Sequence, residues 1–250
     1  MRIIFLLLFI ISFESIAQKR SGRRGPPNSI GLGVVDATDV YKSGNADERA
    51  IPVFPFFSYS WGPVSFRGIS LGVRVLPLTS IYIRPSFQSL EPEVGTFSEG
   101  LRKRRRTVHA GLSFTVPPIF AGIMHRISYE RDVLGVHEGG QFGYDINRRF
   151  QIGESFTFMP GLFARYFTSN FTNYYYEVTQ PEQRSDRPYY LPGDSWQYGF
   201  ALMASYKLTE NFSLLVRGSR GYFSSEIKNS PLVGRDYRQM MMFGVSYLLD

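Results

Sequence analysis

Cysteine is absent from the 250-residue sequence. Disulfide scaffolds, thiolate zinc sites, iron–sulfur clusters and cysteine nucleophiles are therefore excluded together. Histidine is scarce: only His109, His125 and His137 occur, too few for a histidine-rich metal site. Beyond residue 13 no stretch approaches the ~20 apolar residues that a membrane helix needs. Ser, His and Asp are present, but no nucleophile-elbow sequence or other catalytic spacing joins them, which argues against an enzyme. No cofactor is expected. Acidic residues are in the minority, with 21 Asp plus Glu against 28 Lys plus Arg and a net charge of +7.

Aromatic residues are abundant. Phe 22, Tyr 16 and Trp 2 make up 16% of the chain, beside Gly 24 and Pro 15. That mixture favours strands and turns over helices. At 43% hydrophobic the chain is not disordered by composition, and its length is enough to close a barrel.

The first 17 residues read as a secretory signal peptide. Arg2 supplies the positive start, residues 3–13 are almost all apolar, and Ser15-Ile16-Ala17 has a small-x-small cleavage pattern. Residues 18–28 carry Lys19, Arg20, Arg23 and Arg24 between glycines and prolines, which predicts a basic, flexible arm. Residues 29–250 are expected to form the folded unit.

Within that unit the dominant pattern has period two, the mark of strands. Trp196, Tyr198, Phe200, Leu202, Ala204, Tyr206 and Leu208 share one face, opposite Gln197, Gly199, Ala201, Met203, Ser205 and Lys207. Rings at both ends with aliphatic groups between them suit a strand that faces lipid. Residues 107–116, 81–87 and 241–249 repeat the alternation. The second face is rich in Gly and Ser, whereas the solvated face of a soluble sandwich is usually rich in Lys and Glu. Arg84, Arg126, Glu130, Arg165 and Arg217 fall on or beside that second face and are candidate lumen charges.

Connections alternate between short and long, as in outer-membrane barrels with tight periplasmic turns and long outer loops. Strands are predicted at 30–36, 51–60, 64–68, 70–76, 80–88, 106–116, 119–130, 137–146, 150–167, 196–207, 212–223 and 236–249. The expected fold is all-β, an antiparallel transmembrane barrel of about twelve strands. Ten is the alternative if residues 64–76 form a single irregular strand.

Two clusters stand out. Arg102, Lys103, Arg104, Arg105 and Arg106 form a basic run at the outer end of a predicted strand. Arginine grips phosphate bidentately, so lipopolysaccharide phosphate is one candidate contact, and a merely solvated loop is the other. Nucleic acid is not expected as a partner of a secreted barrel. Asp132, His137 and Glu138 hint at acid–base or metal chemistry, but no second histidine lies at a usable spacing. Gly135, Gly139 and Gly140 favour a turn that His137 fixes by hydrogen bonds.

The chain resembles the MltA-interacting protein/OmpV family of Gram-negative outer-membrane proteins over nearly its whole mature length. The resemblance rests on Gly31-Leu32-Gly33, Asp39-Val40-Tyr41-Lys42-Ser43, Pro52-Val53-Phe54 and the stretch from Gly68 to Gly72. Asp132-Val133-Leu134-Gly135-Val136-His137-Glu138-Gly139-Gly140, Tyr174-Tyr175-Tyr176-Glu177-Val178, Arg187-Pro188-Tyr189 and Ser230-Pro231-Leu232-Val233 extend it. Glu177 stands where the family has Gly, and the chain ends in Asp250 where an aromatic residue is usual. The resemblance implies an outer-membrane barrel in contact with lipid and lipopolysaccharide. It also implies a non-enzymatic scaffold that binds a murein transglycosylase/synthase complex. The residues leave a second reading open, a narrow channel or small-ligand-binding barrel with an arginine-lined lumen.

Overall fold

A computed structural model describes residues 28–42, 53–116, 118 and 122–249. The signal-peptide reading, and the arm up to residue 27, lie outside the described residues. Thirteen strand segments form one antiparallel sheet that closes on itself. They are β1 (Ser29–Ala37), β2 (Val53–Trp61), β3 (Val64–Arg67), β4 (Ser70–Leu76), β5 (Thr79–Ser86), β6 (Thr107–Val116) and β7 (Ile123–Asp132). Then follow β8 (Gly140–Arg148), β9 (Phe150–Ile152), β10 (Phe156–Phe167), β11 (Ser195–Lys207), β12 (Phe212–Phe223) and β13 (Tyr237–Leu248). Closure comes from β1 against β13, paired from Ser29↔Leu248 to Ala37↔Met240. β8 and β9 pair with successive parts of β10, so they occupy one position and the barrel has twelve strands.

The twelve-strand expectation therefore holds, and residues 64–76 form two paired strands, β3 and β4. The expected strand starts at residues 51 and 119 lie outside the described residues, and two further differences from the sequence reading are more than a shift of an end. The turn expected at residues 147–149 is only an interruption at Arg149. The chain runs on through β9 and reverses after it, where Gly153 takes φ +61°, a conformation that suits glycine. The strand expected from residue 137 begins at Gly140, because residues 133–139 are held as a loop by Asp132.

Alternation sets the two faces of the wall. Leu162, Phe200 and Phe243 point outward and are 62%, 52% and 50% exposed. A continuous belt of such side chains would be unstable in water and is stable against acyl chains. Tyrosine and tryptophan cluster at its margins: Trp196 meets Tyr166 at 4.9 Å at one end, and Phe212 meets Tyr247 at 5.0 Å at the other. Among the described residues no helix is long and apolar enough to cross a membrane.

The dry core lies at the end of the barrel that carries the long loops. Val40, Tyr41, Leu101, Phe171, Tyr175, Tyr176, Val178, Ile227, Leu232 and Val233 pack there with Phe167 and Phe223 from the strand ends. The centre of this plug is α1 (Ser169–Tyr176), a helix the sequence reading did not foresee. Asn, Thr and Tyr are poor helix formers, so tertiary contacts hold it. Phe171, Thr172, Tyr175 and Tyr176 share its buried face. Asp194 accepts the Ser169 N–H at 2.5 Å, and Asn173 accepts the Gly193 N–H at 2.9 Å. A short helix, α2 (Ser225–Lys228), adds Ile227 to the plug.

Candidate functional site

Beneath the plug the lumen holds charged groups on facing strands. Glu130 of β7 is buried at 2% exposure and is the hub. Arg84 of β5 grips both its oxygens, with Nε 2.7 Å from Oε2 and Nη2 against Oε1. Tyr82 donates its hydroxyl to Oε2 at 3.1 Å, Gln141 of β8 donates to Oε1, and His109 of β6 places Nδ1 3.1 Å from Oε1. A buried charge is tolerable only when it is paired and hydrogen-bonded in this way.

A second pair stands on the neighbouring wall. Arg165 of β10 reaches Asp145 of β8 at 2.5 Å and the carbonyls of Ala164 and Tyr144 at 2.9 and 3.2 Å. Arg126 lies over the Tyr82 ring at 5.9 Å, and Arg217 of β12 is buried on the inward face. Arg84, Arg126, Glu130, Arg165 and Arg217 all turn into the barrel. Arg238 of β13, which the sequence reading did not single out, joins them. It bonds Gln88 at 3.2 Å, reaches the Tyr176 hydroxyl at 3.5 Å and stacks over Phe223 at 5.8 Å. Its Nε is buried with no partner among the described residues.

Hollows lie among these groups. One is lined by Phe163, Arg165, Gln197, Ser219 and Arg238. Another is lined by Arg84, Gln88, His109, Glu130 and Phe171, with Arg238 again on its border.

Asp132 organises the corner above the network. Its carboxylate takes the Thr107 hydroxyl and the backbone N–H groups of Leu134, His137 and Glu138, at 3.0, 2.7 and 3.0 Å for the three backbone bonds. Gly135 at φ +66° and Glu138 at φ +54° make the tight path. Gly139 lies against the backbone of Phe171, where a Cβ would fall 2.4 Å from the Phe171 nitrogen. Thr168 ties the Gly140 N–H at 2.9 Å.

The expectation that His137 lacks a second histidine is corrected here. His109 Nε2 lies 3.1 Å from His137 Nε2. The two residues are 28 apart on different elements, and only the register of β6 with β7, His109↔Asp132, brings them together. Alternation placed His109 inward, but nothing in the sequence placed the loop over it. Among the described residues no group of three or more His, Asp or Glu side chains is arranged to hold a metal.

The basic run divides. Arg104 is fully buried and bonds Glu182 at 2.9 Å, so it presents nothing to lipid phosphate and that part of the expectation is corrected. Arg102, Lys103, Arg105 and Arg106 are exposed. Arg102 pairs with Glu177 at 3.0 Å and Lys103 with Glu91 at 2.6 Å. His125 bonds the Tyr144 hydroxyl at 2.9 Å on the outer face.

Comparison with known proteins bears on this architecture directly. The family model described as "MltA-interacting protein MipA" matches residues 30–249. The chain belongs to that family. The MltA-interacting protein of Escherichia coli (strain K12) is 26% identical over 227 residues, covering 88% of this chain and 89% of that protein. The outer membrane protein OmpV of Vibrio cholerae serotype O1 is 21% identical over 220 residues, covering 86% and 84%. Among solved structures, the KdgM porin is 12% identical, covering 89% of this chain and 99% of that one, with a TM-score of 0.41. As a member of the family the chain is a β-barrel of the Gram-negative outer membrane.

Proposed function

We propose that the barrel is an anion-favouring channel closed at its outer mouth by its own loops. The observation that carries this is the charge on the inward face. Arg84, Arg126, Arg165, Arg217 and Arg238 stand against Glu130, Asp132 and Asp145. A low-dielectric wall lined by one sign of charge in excess concentrates counter-ions of the other sign. The ion pairs set the path, and the aromatic plug sets whether it is open. Planar-bilayer recording of the full barrel tests the reading. Conductance steps with anion preference are expected once the plug is loosened, and the preference falls in Arg126→Ala and Arg217→Ala. Absence of steps in a variant with a loosened plug overturns it.

A second reading draws on the relative whose name records an interaction with MltA, 26% identical over most of both chains. On this reading the short-turn end of the barrel binds a murein transglycosylase/synthase complex. Affinity capture of such an enzyme by the purified barrel is the test. At the opposite end, the exposed Arg102, Lys103, Arg105 and Arg106 form a contact for lipopolysaccharide phosphate, which vesicle binding addresses.

A further inference from the structure

Hydrogen-bond direction fixes the protons of the histidine pair. His137 Nδ1 accepts the Gly139 N–H at 2.9 Å, so the ring's own proton is on Nε2. That proton points at His109 Nε2, 3.1 Å away, which must therefore accept. The His109 proton is then on Nδ1, which faces Glu130 Oε1 at 3.1 Å. The result is a one-way chain from Gly139 through His137 and His109 to Glu130, with both rings neutral. A metal ion between the Nε2 atoms would need both lone pairs, and the His137 one is occupied by hydrogen. Moving that hydrogen to Nδ1 would set it against the Gly139 N–H.

A second proton has no place in this chain. On His109 Nε2 it would set two N–H groups head to head. On His137 Nδ1 it would do the same against Gly139. Either way a hydrogen bond becomes a repulsion between donors. The surrounding groups offer little relief. On β5, Arg84 brings positive charge and Tyr82 brings a hydroxyl already given to Glu130. On β7, Glu130 is gripped by Arg84, and Asp132 is engaged by Thr107 and three backbone N–H groups. Gln141 of β8 also donates to Glu130, and Arg238 of β13 adds another cation at the same hollow. From α1, Tyr174 and Tyr175 present rings at 6.0 and 5.6 Å. Glu138, next in the loop, is exposed.

The pair joins wall to plug. His109 is on β6, whereas His137 is in the loop at residues 133–139. That loop packs on α1 through Phe171, whose ring meets His137 edge-on at 5.1 Å. Gly139 touches the Phe171 backbone directly. We propose that the His109–His137 contact is a proton-operated latch, and that acidification releases the loop at residues 133–139 and with it α1 from the outer mouth. Burial above all pushes the His137 imidazole down to about 4. Its ordinary value is near 6.5. Between those values a proton favours the released ring over the docked one, by up to about tenfold per pH unit.

The conductance arm of the test rests on the channel reading; the exchange arm does not. Hydrogen exchange of the full barrel in vesicles, corrected for intrinsic rates, is followed from pH 7.5 to pH 4. Faster exchange in residues 133–139 and 169–176, with β12 and β13 unchanged, supports the latch. Unchanged protection of both segments at pH 4 overturns it. In His109→Gln, which can accept from His137 but carries no imidazole, only the clash of a protonated His137 with the Gly139 N–H remains, and the acid response is expected to shrink; an undiminished response also overturns the latch. Should that variant fail to insert, the wild-type exchange profile decides alone. Conductance that rises with the loss of protection supports latch and channel together. Loss of protection without conductance leaves the latch standing and removes the channel.

Discussion

Arg104 and Glu182 form a buried ion pair across two outer loops, with Nη1 2.9 Å from Oε1 and 78 residues between them in sequence. Arg104 also caps the Glu177 carbonyl at 2.9 Å, and Glu182 accepts the Arg102 N–H at 2.7 Å. The pair holds the loop between β5 and β6 against the loop that carries α1. Removing one partner leaves a buried charge uncompensated, at a cost of about 3–5 kcal/mol. Arg104→Ala is expected to expose residues 91–106 to protease while the barrel keeps its heat-modifiable mobility on gels. Arg104→Met combined with Glu182→Leu is expected to restore protection, since an apolar pair carries no desolvation cost.

The same pair gives the outer loops a second acid sensitivity. Burial raises the Glu182 carboxyl, but the N–H groups of Arg102 and Thr179 and the charge of Arg104 outweigh it, so the net shift is downward. A carboxylate held below its unfolded value adds stability that is fully present above that value, near 4.3. The stability is lost as pH falls through the lower folded value. Loop docking should therefore weaken below about pH 4, later than release through the histidine pair. Protease nicking at residues 91–106 across pH, compared between wild type and Glu182→Gln, separates the two. The variant, with Arg104 left uncompensated, is expected to be nicked at neutral pH and to show no further step below about pH 4.

Gly139→Ala should loosen the plug without touching a charge. Its Cβ would meet backbone atoms of Phe171, 2.4 Å from the nitrogen and 2.9 Å from Cα, and backbone cannot swing aside as a side-chain tip can. Overpacking of this kind costs about 1–3 kcal/mol. Faster hydrogen exchange in α1 at neutral pH is the expected result, together with spontaneous conductance steps. Unchanged protection of α1 would show that the loop and helix are not coupled through this contact.

Much of the architecture was legible because strand alternation is local. Many wall positions could be assigned from residues two apart, as in β11, and about twelve strands followed from loop lengths, with ten as the alternative. The broken strand at Arg149 was missed because Asn147-Arg148-Arg149 looked like a turn, while Gly153-Glu154-Ser155 looked like strand interior. Tertiary contacts, not propensity, hold α1. The inward charges were visible as single residues, but their pairing depends on register between strands. Arg165 with Asp145 follows only once β8 is known to begin at Gly140. Arg104 looked solvated amid four other basic residues, because nothing nearby announced Glu182. His109 looked like an ordinary polar lumen residue until the loop above it was in place.

The four exposed members of the basic run should act as screened surface charges. Arg102–Glu177 and Lys103–Glu91 are surface pairs, which solvent screens so that they contribute little to folding. Replacing Arg102, Lys103, Arg105 and Arg106 with Gln should therefore leave barrel stability nearly unchanged. Association with lipopolysaccharide-containing vesicles is expected to fall, with a shallower salt dependence than wild type. Equal binding by wild type and variant in low salt would assign the run to solvation alone.

Arg165→Ala and Arg217→Ala should differ in kind although both remove one inward positive charge. Arg165 is the partner of Asp145 at 2.5 Å, so its loss uncovers a negative site beside the hollow that Arg165 lines. The excess of positive charge falls by one, and a local anion barrier appears beside Phe163. Arg217 of β12 stands between Met203 and Met242 in the sheet, and its loss lowers the positive potential of the lumen. In bilayers, with the plug loosened by Gly139→Ala, Arg217→Ala is expected to reduce anion preference while leaving it on the anion side. Arg165→Ala is expected to move the reversal potential further, towards cations, and Arg165→Ala combined with Asp145→Ala to bring it back. Identical reversal potentials for all three would place the permeation path elsewhere than along β8, β10 and β12.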